Sequence, residues 1–344
     1  MVYSLLFPLV PGDAIGYWTF GFQQVVETSD RMSDYLGVGT TFLLWLNFIP
    51  VKIMGLSFFT GNILYAVCGY LGLRYLFLLF VGTLKVNVKI MGFPVIPYLF
   101  YLPNVNFWTA GVGKDTLCFF AIAWFLYSLV HFRRKWIQLL PAILMVYYIR
   151  PHMALMLLLG VSMGMIFSRE MKVVYKVLFL LLAVGAFMFV YQKVAVFLMV
   201  EDLSVKSLSG LAQAKAGSLG SKGVGSAVDI SNYSIPVRFF TYLYRPLFFD
   251  VHNVITFTSS LENTVYIVLT VMGFRAIRWR DLRVMPLWLK GSFITFITAM
   301  IVFANSLGNL GIIMREKNMT MIYFAMVCVW VISLRRAEAA NPSV

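Results

Sequence analysis

Ile149-Arg150-Pro151-His152 stands between two apolar runs, 136–149 and 152–168. A cation, a helix-breaking ring and an imidazole in so short a gap mark a corner between two hydrocarbon-compatible segments. Similar apolar runs lie at 40–56, 58–83, 86–102, 115–131, 172–199, 263–279, 286–304 and 319–334. Each is long enough, or nearly so, to cross a hydrocarbon core about 30 Å thick. With 60% of the chain hydrophobic and only 12% charged, its polar side chains cannot cover a water-facing surface. The sequence therefore predicts an all-α polytopic membrane protein with about 9–11 transmembrane or re-entrant helices. Residues 1–344 read as a single transmembrane domain with no soluble domain left over. The run 58–83, with Gly61, Gly69, Gly72 and Arg74 inside it, reads as one long helix or as two short re-entrant pieces.

The net charge of +14 does not point to nucleic acid, because the basic residues sit in short clusters between apolar spans rather than along one helix face. Loops rich in Lys and Arg stay in the cytoplasm. Arg133-Arg134-Lys135, Arg169-Glu170-Met171-Lys172, Arg275 through Arg283, and Arg335-Arg336 give a consistent parity. The Arg150–His152 corner, the region 203–262 and the loop 305–318 then fall on the opposite, external side. Within 203–262, residues 203–234 are rich in Gly, Ser, Ala and Lys and predict a mobile external loop. Met1–Val10 is apolar but too short to span, and reads as the exit end of a first helix or as a short interfacial one.

Charge at such external edges suits chemistry. Asp13, in Pro11-Gly12-Asp13-Ala14-Ile15-Gly16-Tyr17-Trp18, follows an apolar segment and is a candidate general base, or else a turn residue opening a helix. In Gly111-Val112-Gly113-Lys114-Asp115 the glycines allow close approach, a helix start supplies amides and Lys114 adds a cation, a combination suited to phosphate. The plain alternative is a dipole-complementing Asp115 beside a snorkelling Lys114. Arg150 offers a fork for diphosphate oxygens and His152 an imidazole for proton transfer, unless the corner only marks a helix boundary. Tyr244-Arg245-Pro246-Leu247-Phe248-Phe249-Asp250-Val251-His252-Asn253, followed by Glu262, mixes cation, aromatics, acids and imidazole. Arg245 and His252 are candidate ligand contacts there and Asp250 and Glu262 candidate bases, although an interfacial helix carries the same mixture. Arg315 and Lys317 are basic against the positive-inside trend and favour an anion. Cys68, Cys118 and Cys328 fall inside apolar runs without metal-ligand spacing, and HExxH, DxD, GxSxG and paired redox cysteines are lacking, so neither metal site nor cofactor is expected.

Asp13 with Tyr17, Phe107-Trp108 and Gly113-Lys114-Asp115 before a helix, Arg150-Pro151-His152 at an external corner, Arg245 in a long external loop and a late Arg315 together resemble the Wzy-type O-antigen and exopolysaccharide polymerases, and more distantly the GT-C glycosyltransferases. The likeness spans most of the chain through short motifs. It implies a GT-C/Wzy-like fold in the bacterial cytoplasmic (inner) membrane and transfer of sugar from a polyprenyl-diphosphate-linked glycan to an acceptor hydroxyl on the external face. Membrane lipids and other polysaccharide-assembly proteins are the implied partners. Departures are the short chain, the absent first helix and the lack of a second acid beside Asp13. The alternative is a lipid-linked oligosaccharide flippase or other transporter, which more often carries its charges mid-helix.

Overall fold

The structure is a computed structural model, and it describes residues 12–21, 29–168, 172–181, 184, 185, 188, 228, 230 and 233–340. Over the described residues the protein is an all-α membrane protein apart from one small hairpin. Among the described residues four helices are long and apolar enough to cross a membrane: Phe58–Val81, Val254–Ala276, Leu287–Ser306 and Leu310–Ala340. Where the sequence suggests one transmembrane domain, packing gathers the chain into two compact units, Met1–Val81 with Val105–Ala154, and Gly82–Asn104 with Leu155–Val344.

The first unit contains α1 (Asp13–Thr19), α2 (Thr40–Phe48), α3 (Phe58–Val81), α4 (Lys114–Val130) and α5 (Phe132–Ile149). The run 58–83 forms one helix. Its glycines are points of close approach rather than breaks: Gly61 meets the Trp18 ring, Gly69 the Thr109 carbonyl and Gly72 the Phe119–Phe120 backbone and ring. Asn62 accepts from the Val112 amide while Tyr75 stacks on Tyr127, so α3 and α4 run parallel. Helices α4 and α5 form an antiparallel pair turned at His131, with Trp124 donating to Gln138 near the turn and Arg150 paired with Asp115 at the open end.

The run 40–56 does not span. Helix α2 and its one-turn extension to Ile53 cover about 21 Å at 1.5 Å per residue, short of the hydrocarbon thickness. It lies across the open end of the helices instead. Gly39 donates to the Tyr148 carbonyl, Thr40 accepts from Lys114, and Asn47 bridges the Tyr17 carbonyl and the Tyr65 hydroxyl.

In the second unit, α6 (Pro151–Ile166, from Leu155 on) packs against α9 (Leu287–Ser306), and α7 (Ile235–Tyr244), α8 (Val254–Ala276) and α9 surround α10 (Leu310–Ala340), which is buried along most of its length. Glycines set the spacing again. A Cβ on Gly160 would run into the Thr295 hydroxyl and the Gly291 carbonyl, and Gly164 faces the Gly291 backbone, so α6 and α9 lie close and antiparallel. Helices α8 and α10 run parallel: Asn263 meets Lys317, Gly273 meets Cys328, and the Ala276 carbonyl accepts from Arg335. Their basic ends, Arg275 and Arg335, therefore share one end of the unit.

Three boundaries differ from the sequence reading. Helix α8 begins at Val254 rather than 263 because the Asn253 side chain accepts from the Thr256 amide and caps it. Helix α10 begins at Leu310 because the Asn309 side chain accepts from the Gly311 and Ile312 amides, so Arg315 to Asn318 are helical and not a loop. The run 86–102 is not a spanning helix: β1 (Lys89–Ile90) and β2 (Phe93–Pro94) pair antiparallel around Gly92, whose φ of 84° turns the chain. Pro94, Pro97 and Pro103 then supply no amide hydrogens to a helix. Of the region 203–262, expected to be external, residues 203–227 of the Gly/Ser-rich part lie outside the described residues, whereas 235–244 and 254–262 are helical.

The glycine contacts yield a measurable expectation. Gly160→Val should destabilise the protein by about 1–3 kcal/mol through overpacking, read as a lowered unfolding midpoint in detergent. Gly185→Ala, where among the described residues nothing lies within 4 Å of the added Cβ, should not lower that midpoint.

Candidate functional site

The candidate residues fall into two groups, one in each unit. In the first unit, Asp13 is exposed in the first turn of α1, and Tyr17 stands four residues on, on the same helical face. The Lys114 ammonium lies 5.5 Å from the centre of the Tyr17 ring and donates to the Thr40 hydroxyl at 3.0 Å. Lys114 is half-buried, and its backbone opens α4 after Gly113, at an N-terminus without a side-chain cap. Arg150 is placed differently from the sequence expectation. It is buried and its NH2 meets Asp115 Oδ1 at 2.6 Å, so its charge is matched inside the protein rather than offered to a diphosphate. His152 is half-buried in the first turn of α6. An acid, an aromatic face, a hydroxyl and a cation thus share one end of this unit.

In the second unit the corner after α7 carries Arg245. Its Nε and NH2 donate to the two Asp250 oxygens at 3.0 and 2.5 Å, and the Leu247 amide also donates to Asp250 at 2.9 Å. The guanidinium lies 5.5 Å from the Phe249 ring centre, and the Tyr233 hydroxyl accepts a longer bond of 3.4 Å. Burial raises the Asp250 carboxyl, but the bonds from Arg245 and Leu247 and the Arg245 charge outweigh it and hold the group below its ordinary value. A carboxylate so clamped is a poor proton acceptor at neutral pH. Asp250 therefore holds the corner rather than serving as the expected base. His252 is exposed, with Nδ1 2.9 Å from the Asp250 carbonyl.

Beneath that corner lies a sealed polar cluster. Lys317 is fully buried and donates to the Leu243 carbonyl at 3.3 Å, the Arg245 carbonyl at 3.0 Å and Asn263 Oδ1 at 2.7 Å. An ammonium has three donors, and all are engaged within the protein. Lys317, expected as a ligand contact, lies in the interior and holds the Arg245 corner. Asn263 in turn donates to the Pro246 carbonyl. Glu262, also buried, accepts from the Asn104 amide at 2.7 Å, and its charge acts on Lys317. Asn104 and Asn318 exchange side-chain and backbone bonds beside it. Glu262 is thus enclosed, away from any acceptor that approaches from solvent. Arg315 is half-buried on α10. Among the described residues no three His, Cys, Asp or Glu side chains converge as metal ligands.

Sequence reasoning missed Thr40, Asn104, Asn263 and Asn318. The available signal was asparagine within apolar runs, which requires internal partners. No protein-family model, no curated protein and no solved structure matches the chain.

Two expectations follow. Lys317→Met strands the Leu243 and Arg245 carbonyls and Asn263, and should cost on the order of 1–3 kcal/mol for each group left unsatisfied, seen as early unfolding in detergent. Because Asp250 sits lower in the folded state than its ordinary 3.8, the clamp stabilises above that value and its contribution disappears as pH falls through the depressed one. Asp250→Asn should therefore show a smaller loss of unfolding midpoint than wild type between about pH 6 and about pH 2.

Proposed function

We propose that the chain is a multi-pass protein of the bacterial cytoplasmic membrane that transfers sugar from a polyprenyl-diphosphate-linked donor to an acceptor hydroxyl on the extracytoplasmic face, in cell-surface polysaccharide synthesis. The observation that carries this reading is the exposed Asp13 on the same face of α1 as Tyr17, with the Lys114 ammonium over that ring. Of the acids considered, Asp250 is clamped and Glu262 enclosed, whereas Asp13 is exposed in the first turn of α1.

In this reading the acceptor oxygen attacks the anomeric carbon as its proton passes to Asp13. The bond from that carbon to the diphosphate oxygen breaks, the electron pair leaves on the diphosphate, and Lys114 stabilises the charge. The Arg150–Asp115 pair holds the ends of α4 and α5 together, and the buried Tyr17 ring sits beside the Lys114 ammonium and fixes its position. The GT-C/Wzy-like relationship belongs to the same proposal and rests on the motifs at Asp13, Lys114, Arg150, Arg245 and Arg315.

One observation favours the second reading, a lipid-linked oligosaccharide flippase: Glu262 and Lys317 lie turns inside long apolar helices, where transporters keep their charges. The two readings part experimentally. Asp13→Asn and Lys114→Met should each slow transfer by about 10²–10⁴-fold with protein still in the membrane, and lipid-linked single units should accumulate on the outer face, where an external lectin detects them. Units held on the cytoplasmic face in a strain lacking the protein would make transport the function.

A further inference from the structure

Ser333, near the basic end of α10, accepts from the Lys85 and Val86 amides and donates to the Val86 carbonyl. Farther up the same helix, Asn318 and Met314 hold Asn104. Roughly 22 Å of helix separates Ser333 from Asn318 at 1.5 Å per residue. The chain from Val86 to Asn104 therefore travels most of the depth of an approximately 30 Å hydrocarbon core alongside α10, and it does so without a spanning helix. It consists of the β1–β2 hairpin, an extended Ile96 (φ −99°, ψ 127°) and short single turns broken by Pro97 and Pro103.

The two sides of this segment differ. Val88, Ile96, Leu99, Phe100 and Leu102 are buried, whereas Tyr98 and Tyr101 are 55% and 71% exposed. Irregular backbone at membrane depth does not face lipid; it persists where it is covered by protein or lines water. We infer that the Tyr98–Tyr101 side of residues 95–104 lines a water-filled crevice at membrane depth, one that admits hydrated polar solutes and excludes acyl chains. Water stops short of the enclosed cluster of Asn104, Glu262 and Asn318, whose bonds satisfy the Asn104 backbone from within the protein. The inference rests on the placement of α8 and α10 across a membrane and is independent of the sugar-transfer reading.

The test is the reaction rate of single cysteines with a small anionic methanethiosulfonate in membranes. The background is the full chain with Cys68, Cys118 and Cys328 replaced by Ala. Tyr98→Cys and Tyr101→Cys probe the crevice at two positions, so loss of one variant to misfolding leaves the other. Val265→Cys and Val268→Cys probe the exposed side of α8 inside its apolar span, within two turns of Asn263, where both valines are more than 40% exposed. Only a hydrated thiolate reacts, so positions 98 and 101 should be modified at least about tenfold faster than 265 and 268. Rates at 98 and 101 as slow as those on α8 would overturn the crevice and mean a protein cover. Fast reaction at all four positions would overturn it too, by removing the membrane placement on which it rests, and would leave the chemistry at Asp13 to be judged separately.

Discussion

A buried ammonium in an apolar helix must find acceptors or unfold its surroundings, and Lys317 meets that demand in a way that organises much of the second unit. Its acceptors are the Leu243 and Arg245 carbonyls and Asn263. The first two belong to the chain leaving α7, and the third to α8, so one side chain of α10 ties three elements together. Asn263 passes the constraint to the Pro246 carbonyl. The corner is thereby held from beneath, and Arg245 is free only to turn outward, where Asp250 takes both faces of its fork. Removing an unsatisfied charge from hydrocarbon outweighs the modest net value of any one of these bonds.

The same economy of space governs the apolar contacts. Parallel α3 and α4 touch through Gly72, and antiparallel α6 and α9 through Gly160, Gly164 and Gly291. In lipid there is little hydrophobic gain in bringing helices together, so close backbone approach and dispersion must supply the association. Parallel neighbours impose a further condition, because the chain that leaves α3 at Val81 must return the length of the helix before α4 begins at Lys114. A spanning helix is the usual way back. Here the prolines at 94, 97 and 103 forbid one over 86–102, and the return is made by irregular chain.

Composition and hydropathy made the class legible, since long apolar runs separated by basic clusters permit little else. Boundaries were less legible where a cap decided them. Asn253 and Asn309 begin α8 and α10 well before the apolar runs start, which carries Glu262 and Lys317 into helices that hydropathy alone treats as loop. The candidate residues were legible as chemistry but not as partners. Arg150 and Asp115 are separated along the sequence by a whole helical hairpin, and nothing local indicates that the charge of one is matched by the other. Asn104 and Asn318 are farther apart still, and only the tertiary fold makes each the other's partner.

That difference between chemistry and partnership sorts the candidate charges. Arg150, Arg245, Asp250, Glu262 and Lys317 have the residue types of a transfer site, yet each has an internal counter-group that fixes its geometry and, for Asp250, its ionisation. A group whose donors or lone pairs are consumed by the fold can hold a catalytic centre in place but is ill suited to exchanging a proton with a substrate. Asp13 and Lys114 lie at an end of the first unit, where Asp13 is exposed and Lys114 is half-buried between the Tyr17 ring and the Thr40 hydroxyl. Because α1 and α2 lie across the helix ends instead of entering the bundle, the carboxylate of α1 stays at the surface while the tight glycine contacts of α3 and the Asp115–Arg150 pair keep the structure beneath it rigid. The physical demand that buried charge be paired thus accounts for the charges that build this protein, and exposure sets Asp13 apart from them.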